Sequence, residues 1–380
     1  MHSASELEWL RGREYLRENR HELGVSAADG YPSAARVAGT PLLAAPGWIP
    51  AAPVPLGDIS IALSRADFSP RHNTVAHAAP ENSGGTRYAS YSEAMRALDA
   101  PAVFENRPLY RLTGADLAGE RPRLEFGRGR YFEAIDVGTA AAHEYAAARL
   151  GLGAPDGRTT AADGGLTTPD GAGVLREAIG DPCDLAARPV MMAVATLTVR
   201  LDRSTGAATF PLHWRDPAKV GHAGGMYQVL PAGIFQPSGE APWNWPNDFD
   251  LWRCMLREYA EELLGADEDH DSERNPIDYA AWPFAARMTA LRAAGRIQAW
   301  CLGLGVDPLT FATDLLTVAV FDAAGYDELF GDLVRSNAEG TVIASWPFEE
   351  QAVTALIRDH PVQAAGAALL SLALRHKDLL

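Results

Sequence analysis

Residues 190–201 form an apolar run rich in β-branched side chains. It ends at a polar turn, 202–206, and a second strand pattern at 207–214 reads as its hairpin partner. Strand patterns follow at 226–235, 297–304 and 315–321, the last two buried in character, and helical patterns at 250–264 and 347–358. This alternation makes the chain beyond about residue 188 an α/β unit with a sheet at its centre.

The chain has 380 residues, enough for two or three domains or for one with a large appendage. Residues 5–23 read as a helix, because Ser3 and Glu6 form a capping-box pair and Trp9, Leu16 and Leu23 share a face. Residues 31–55 are dense in Pro, Ala and Gly and read as an irregular connection. A strand candidate at 59–63 and a polar surface loop at 69–85 come next. Residues 121–132 alternate like a strand or hairpin, and 139–150 read as an Ala-rich helix. Residues 151–173 are almost entirely Gly, Ala, Asp, Thr and Pro. The expected organisation is therefore an N-terminal α/β region over 1–150, a linker with a short helix over 151–187, and the main unit over 188–380.

Hydrophobic residues make up 47% and charged residues 22%, which is globular usage and excludes fibrous or low-complexity classes. The net charge of −16 repels a phosphate backbone, so nucleic acid is not an expected partner. Cys183, Cys254 and Cys301 make no C-x-x-C pair, and residues 1–6 begin a charged helix without a signal-peptide pattern. Both features point to a reducing, cytoplasmic setting. The longest apolar runs, 311–321 and 364–374, fall short of the roughly 20 residues a membrane-spanning helix needs, so no membrane partner is expected.

The chemistry is concentrated in residues 257–265, Arg-Glu-Tyr-Ala-Glu-Glu-Leu-Leu-Gly. Glu258, Glu261 and Glu262 stand at i, i+3 and i+4 of one helix, where like charges repel by a few tenths of a kcal/mol per pair unless a cation neutralises them. Carboxylates are natural ligands of Mg²⁺ or Mn²⁺, which bridge to substrate phosphates, so the pattern points to metal-assisted hydrolysis at phosphorus. As a bland alternative, a run of Glu is also what a solvated helix face carries.

This segment resembles the second half of the Nudix box, G-x5-E-x7-R-E-U-x-E-E-x-G-U. Pro231-Ala232-Gly233 and Gly239-Glu240 resemble its opening. Six residues separate Gly233 from Glu240 where the pattern has five, and sixteen separate Glu240 from Arg257 where it has seven. Tyr259 takes an aliphatic position, and Leu264 stands where the final glycine belongs, one residue before Gly265. The order of elements over residues 188–360, including Trp346-Pro347-Phe348-Glu349-Glu350 before the last helix, resembles the Nudix order. The whole chain is also similar to the C-terminal regions of actinobacterial helix-turn-helix regulators, without a DNA-binding unit of its own.

The resemblance implies a Nudix-like mixed β-sheet sandwiched by helices, with an N-terminal α/β extension. It implies Glu258, Glu261 and Glu262 as metal ligands, Glu258 alternatively as the base, and Arg257 as the group that orients a glutamate. Gly233 would offer a carbonyl to the metal, Glu240 a secondary acid with Asp250 as its alternative, and Glu339 a further carboxylate. Trp243 and Trp245 are candidates to stack on a substrate base, whereas Trp252 reads as core. Gly127-Arg128-Gly129-Arg130 reads as a hairpin turn with solvated arginines, His213 and His222 as structural histidines, the acidic loop 267–271 as solvated, and Cys254 as a small buried residue.

The implied activity is hydrolysis of a diphosphate linkage in a nucleoside diphosphate derivative. The partner would be that small nucleotide or diphosphate; a homodimer stays open. Two other readings share the pattern: a Nudix-like module that binds a nucleotide or metabolite without turnover, and a biosynthetic enzyme that reuses the acidic site for a non-hydrolytic reaction.

Overall fold

A computed structural model of the chain describes residues 2–64, 78–101, 103–152, 173–215, 225–266, 271–331 and 340–380. The helices are α1 (Ala4–Glu18), α2 (Arg20–Ala28), α3 (Tyr91–Leu98), α4 (Tyr131–Ala134), α5 (Ala140–Arg149), α6 (Val174–Ile179), α7 (Asn244–Asn247), α8 (Leu251–Leu264), α9 (Pro283–Ala293), α10 (Ala323–Phe330), α11 (Glu350–Asp359) and α12 (Ala364–Arg375). The strands are β1 (Val54–Pro55), β2 (Ser60–Leu63), β3 (Pro108–Asp116), β4 (Arg123–Arg130), β5 (Met192–Asp202), β6 (Ala207–Arg215), β7 (Tyr227–Val229), β8 (Ala232–Ile234), β9 (Ile297–Val306), β10 (Thr313–Asp322) and β11 (Gly340–Pro347).

The β-branched run becomes β5, near the middle of a mixed sheet ordered β1-β9-β10-β5-β6-β11. β5 runs parallel to β10 along its length. Its other edge is divided: β8 pairs with residues 193–195 and β6 with 200–202, while β6 continues against β7. Successive side chains point to opposite faces, so the sheet has two cores. Met192, Val194, Leu315, Ala319 and Phe321 pack with Tyr259 and Leu263 of α8 and Met288 and Leu291 of α9. Ala195, Leu197, Val199, Leu316, Val318 and Val320 pack with Val353 and Leu356 of α11 and the Ala- and Leu-rich α12. The fold is thus mixed α/β with helices flanking a large mixed sheet. A smaller sheet, β2-β4-β3, is built from the N-terminal part.

Several elements depart from their sequence expectation. The helix expected over 5–23 is two helices, because Asn19 leaves helical geometry at φ −115° and its amide donates back to the Tyr15 carbonyl at 3.0 Å. The capping box between Ser3 and Glu6 is present. The strand expected over 226–235 breaks at Leu230-Pro231, where proline has no N–H to donate. The Pro231 carbonyl instead accepts the Thr196 N–H at 2.9 Å, and the two halves join different strands. The connection over 31–55 covers the edge of the main sheet, with Leu43 bridged to Val306 and β1 paired with β9. Gly127-Arg128-Gly129-Arg130 is not a turn but part of β4, paired with β3. Residues 153–172 of the expected linker lie outside the described residues; α6 supplies its short helix.

The N-terminal region and the main unit share a core in which Trp9, Tyr91, Tyr110 and Phe126 pack with Phe235 and Leu251. Tyr110 donates its N–H to the Phe235 carbonyl at 3.2 Å and Leu112 to Val190 at 3.1 Å. Glu144 on α5 accepts the Leu175 N–H at 2.9 Å, and a Cβ on Gly173, which has φ +104°, would collide with its side chain. Burial pushes the Glu144 carboxyl up from 4.5 to about 7. The folded chain therefore holds this proton more tightly than the unfolded chain. The resulting stability is complete below pH 4.5 and lost as pH rises through about 7. Glu144→Gln removes that loss, so the variant gains stability relative to the parent between these limits. Urea unfolding at about pH 4.5, 6 and 8 checks this, and parallel pH profiles contradict it.

Candidate functional site

Helix α8 begins at Asp250, whose carboxylate caps the Arg253 N–H at 2.9 Å, and ends at Gly265 in the left-handed conformation, φ 70°. Its apolar stripe, Leu251, Met255, Leu256, Tyr259 and Leu263, faces the sheet, and the Tyr259 hydroxyl meets the Thr198 hydroxyl at 2.7 Å. The glutamates follow at the C-terminal half. Asp250 lies twelve residues before Glu262, roughly 18 Å along the axis, and its carboxylate is used as a cap, so it does not join them.

Two of the three glutamates end on β8. Glu262 is buried and accepts the Ala232 N–H at 3.0 Å. The half-buried Glu258 carboxylate lies against the Cα of Gly233, where any Cβ would collide with it. Space for that carboxylate, not a positive φ, is what requires glycine here. Glu261 is also half-buried. Among the described residues no three His, Cys, Asp or Glu side chains gather into a metal-binding group. Glu339 and His222 lie outside the described residues, as does 267–270 of the acidic loop.

Arg257 does not use its hydrogen bonds to orient a glutamate. Its guanidinium, 5% exposed, donates to the Gln236 carbonyl at 2.6 Å and to the Tyr279 hydroxyl at 2.7 Å. Tyr279 in turn donates to Asp248 at 2.9 Å, and Arg257 stands 3.6 Å from the same carboxylate oxygen. Asp248 is fully buried and also accepts the Ser238 N–H at 2.8 Å and hydroxyl at 2.7 Å. Arg257 thus holds the loop between β8 and α8. Neither Asp248 nor Tyr279 is marked by any local motif, so sequence reasoning misses both.

The rest of the loop docks on the N-terminal sheet. Glu240 is 56% exposed at its side chain and forms a two-pronged ion pair with Arg130 at 2.8 and 3.0 Å. Trp245 packs edge-on to Tyr110 at 5.3 Å with Arg128 4.8 Å over its ring. Trp243 donates its indole N–H to the Ser272 carbonyl at 3.0 Å and stays 40% exposed. Trp252 is core, under the Arg292 guanidinium at 4.6 Å. His213 is buried in β6 opposite Gln228. Cys254 is buried, and burial pushes its thiol far up, which leaves no thiolate for nucleophilic work.

No protein-family model matches this chain, and no curated protein matches it. No described helix is long and apolar enough to cross a membrane.

Arg257→Met leaves the Asp248 carboxylate buried without its cation and is expected to cost about 3–5 kcal/mol of unfolding free energy. Tyr279→Phe removes the bridging hydroxyl at about 1–3 kcal/mol. Urea unfolding of both variants measures this; a loss below about 1 kcal/mol for Arg257→Met contradicts the network's role.

Proposed function

We propose that the protein hydrolyses a diphosphate linkage in a nucleoside diphosphate derivative, with Mg²⁺ or Mn²⁺, on a Nudix-like fold. One observation carries the reading: despite the stretched spacing of the box, Glu258 and Glu262 meet the backbone of Gly233 and Ala232. Mg²⁺ usually takes one or two carboxylates, waters and substrate phosphates, so a set of three gathered acids is not required. Glu258, Glu262 and the Gly233 carbonyl would hold the ion, with Glu261 beside them. Such an ion neutralises phosphate oxygens and lowers the pKa of a bound water. Glu258 would serve either as a ligand of that ion or, alternatively, as the acceptor for a proton from the attacking water, since it is on the same helix face and is not fully buried. The chain's three cysteines are buried and unpaired, in keeping with a cytoplasmic setting as part of this proposal.

A second reading, a module that binds a nucleotide or metabolite without turnover, is favoured by Glu240. Its carboxylate is committed to Arg130 and is not offered to a metal.

The test is release of phosphate or nucleoside monophosphate from a panel of dinucleoside, sugar and simple nucleotides with Mg²⁺ or Mn²⁺. Glu258→Gln and Glu262→Gln are run alongside. Gln at 262 keeps a carbonyl oxygen for the Ala232 N–H, so the fold is retained. Turnover in the parent and a drop of about 10²–10⁴-fold in Glu258→Gln are expected. No turnover anywhere, with ligand-induced thermal stabilisation, overturns the hydrolase in favour of the binding module.

A further inference from the structure

The junction of α1 and α2 opens onto a groove of about 640 Å³, closed on its far side by Gly225, Met226 and Pro361. That volume suits a small molecule. Exposed Glu14, Arg17, Glu18 and Glu22 rim it, and the half-buried Arg20 and His21 line it more deeply. Arg17 is committed to Asp99 at 2.8 Å. Arg20 is different: among the described residues its side chain makes no hydrogen bond or ion pair.

A guanidinium stays ionised in a protein and carries five N–H donors. Arg20 is half-buried at the groove, and its fork is open to a ligand there. Arg13 of α1 and Arg215 of β6 add positive charge, and Asp307, the carboxylate that acts on it most, already caps its own turn through Leu309 and Thr310 at 3.0 and 2.7 Å. Burial, the largest influence, lowers the Arg20 guanidinium to about 10, with those two arginines adding to it and Asp307 and Tyr91 opposing.

We propose that this groove is a binding site for a small molecule with an oxyanion head, a phosphate or carboxylate, seated on the Arg20 guanidinium. The planar fork of arginine matches either group with two parallel hydrogen bonds. The glutamates on the rim disfavour a bare polyanion and offer acceptors to hydroxyl or amine donors elsewhere on the ligand. The site is independent of the α8 carboxylates and needs no metal, so its failure leaves the proposed hydrolysis untouched, and the reverse.

The experiment titrates the intact, metal-stripped protein with inorganic phosphate and, separately, with acetate, by calorimetry. Arg20→Met, Arg20→Lys and the rim control Arg17→Met are run in parallel. At least one anion is expected to bind saturably, about ten- to a hundredfold more weakly in Arg20→Met, with Arg17→Met close to the parent. Arg20→Lys keeps the charge without the fork, so it binds with intermediate affinity and reads the site even if the Met variant does not fold. Phosphate binding alone assigns a phosphate head, and acetate binding alone a carboxylate. Binding of neither anion by the parent, or binding as tight as the parent's by Arg20→Met or Arg20→Lys, overturns the proposal.

Discussion

A buried arginine and a buried aspartate, joined through one tyrosine hydroxyl, hold the long loop between β8 and α8 to the glutamate helix. Taking both charges out of water costs several kcal/mol per ion unless their remaining lone pairs and protons are used. Here they are used. Arg257 reaches Gln236 and Tyr279, and Asp248 receives Tyr279, Asn247 and both donors of Ser238. Gln236, Ser238 and Asp248 belong to the loop, Arg257 to α8 and Tyr279 to the segment after it, so one network fixes three pieces of chain. The long connection between Gly233 and Arg257 is therefore compatible with a defined approach of the glutamates to β8.

The divided edge of β5 prepares the other half of that approach. Because β6 pairs with β5 only at one end, β8 occupies the remaining edge and presents the Ala232 N–H and the bare Cα of Gly233 to α8. The N-terminal region contributes from outside. Arg128 and Arg130 of β4 meet Trp245 and Glu240, so the inserted residues bridge two sheets. In chemical terms the loop is structural where it meets β4 and available where Trp243 remains exposed.

Much of this is legible in the sequence, for local reasons. β5, β6, β9, β10 and α8 each carry a pattern of their own: β-branched runs, a polar turn, an Asp cap, a closing glycine. The glutamate face of α8 follows from 3.6 residues per turn alone. What is hidden depends on distance along the chain. Tyr279 lies 22 residues from Arg257, and no spacing rule links them. β3 is hidden because its first five residues are all buried, so it carries no inside-outside alternation. The role of Glu240 is hidden because its partner, Arg130, is 110 residues away.

The central claim is that the α8 carboxylates and the Gly233 backbone hold a divalent cation. Anomalous diffraction from crystals of the intact chain soaked in Mn²⁺ tests it most directly. The account predicts one dominant manganese peak bound by Glu258 and Glu262 beside the Gly233 carbonyl, absent in crystals of Glu258→Gln. A peak elsewhere with these carboxylates unligated, or no peak at saturating Mn²⁺, contradicts it.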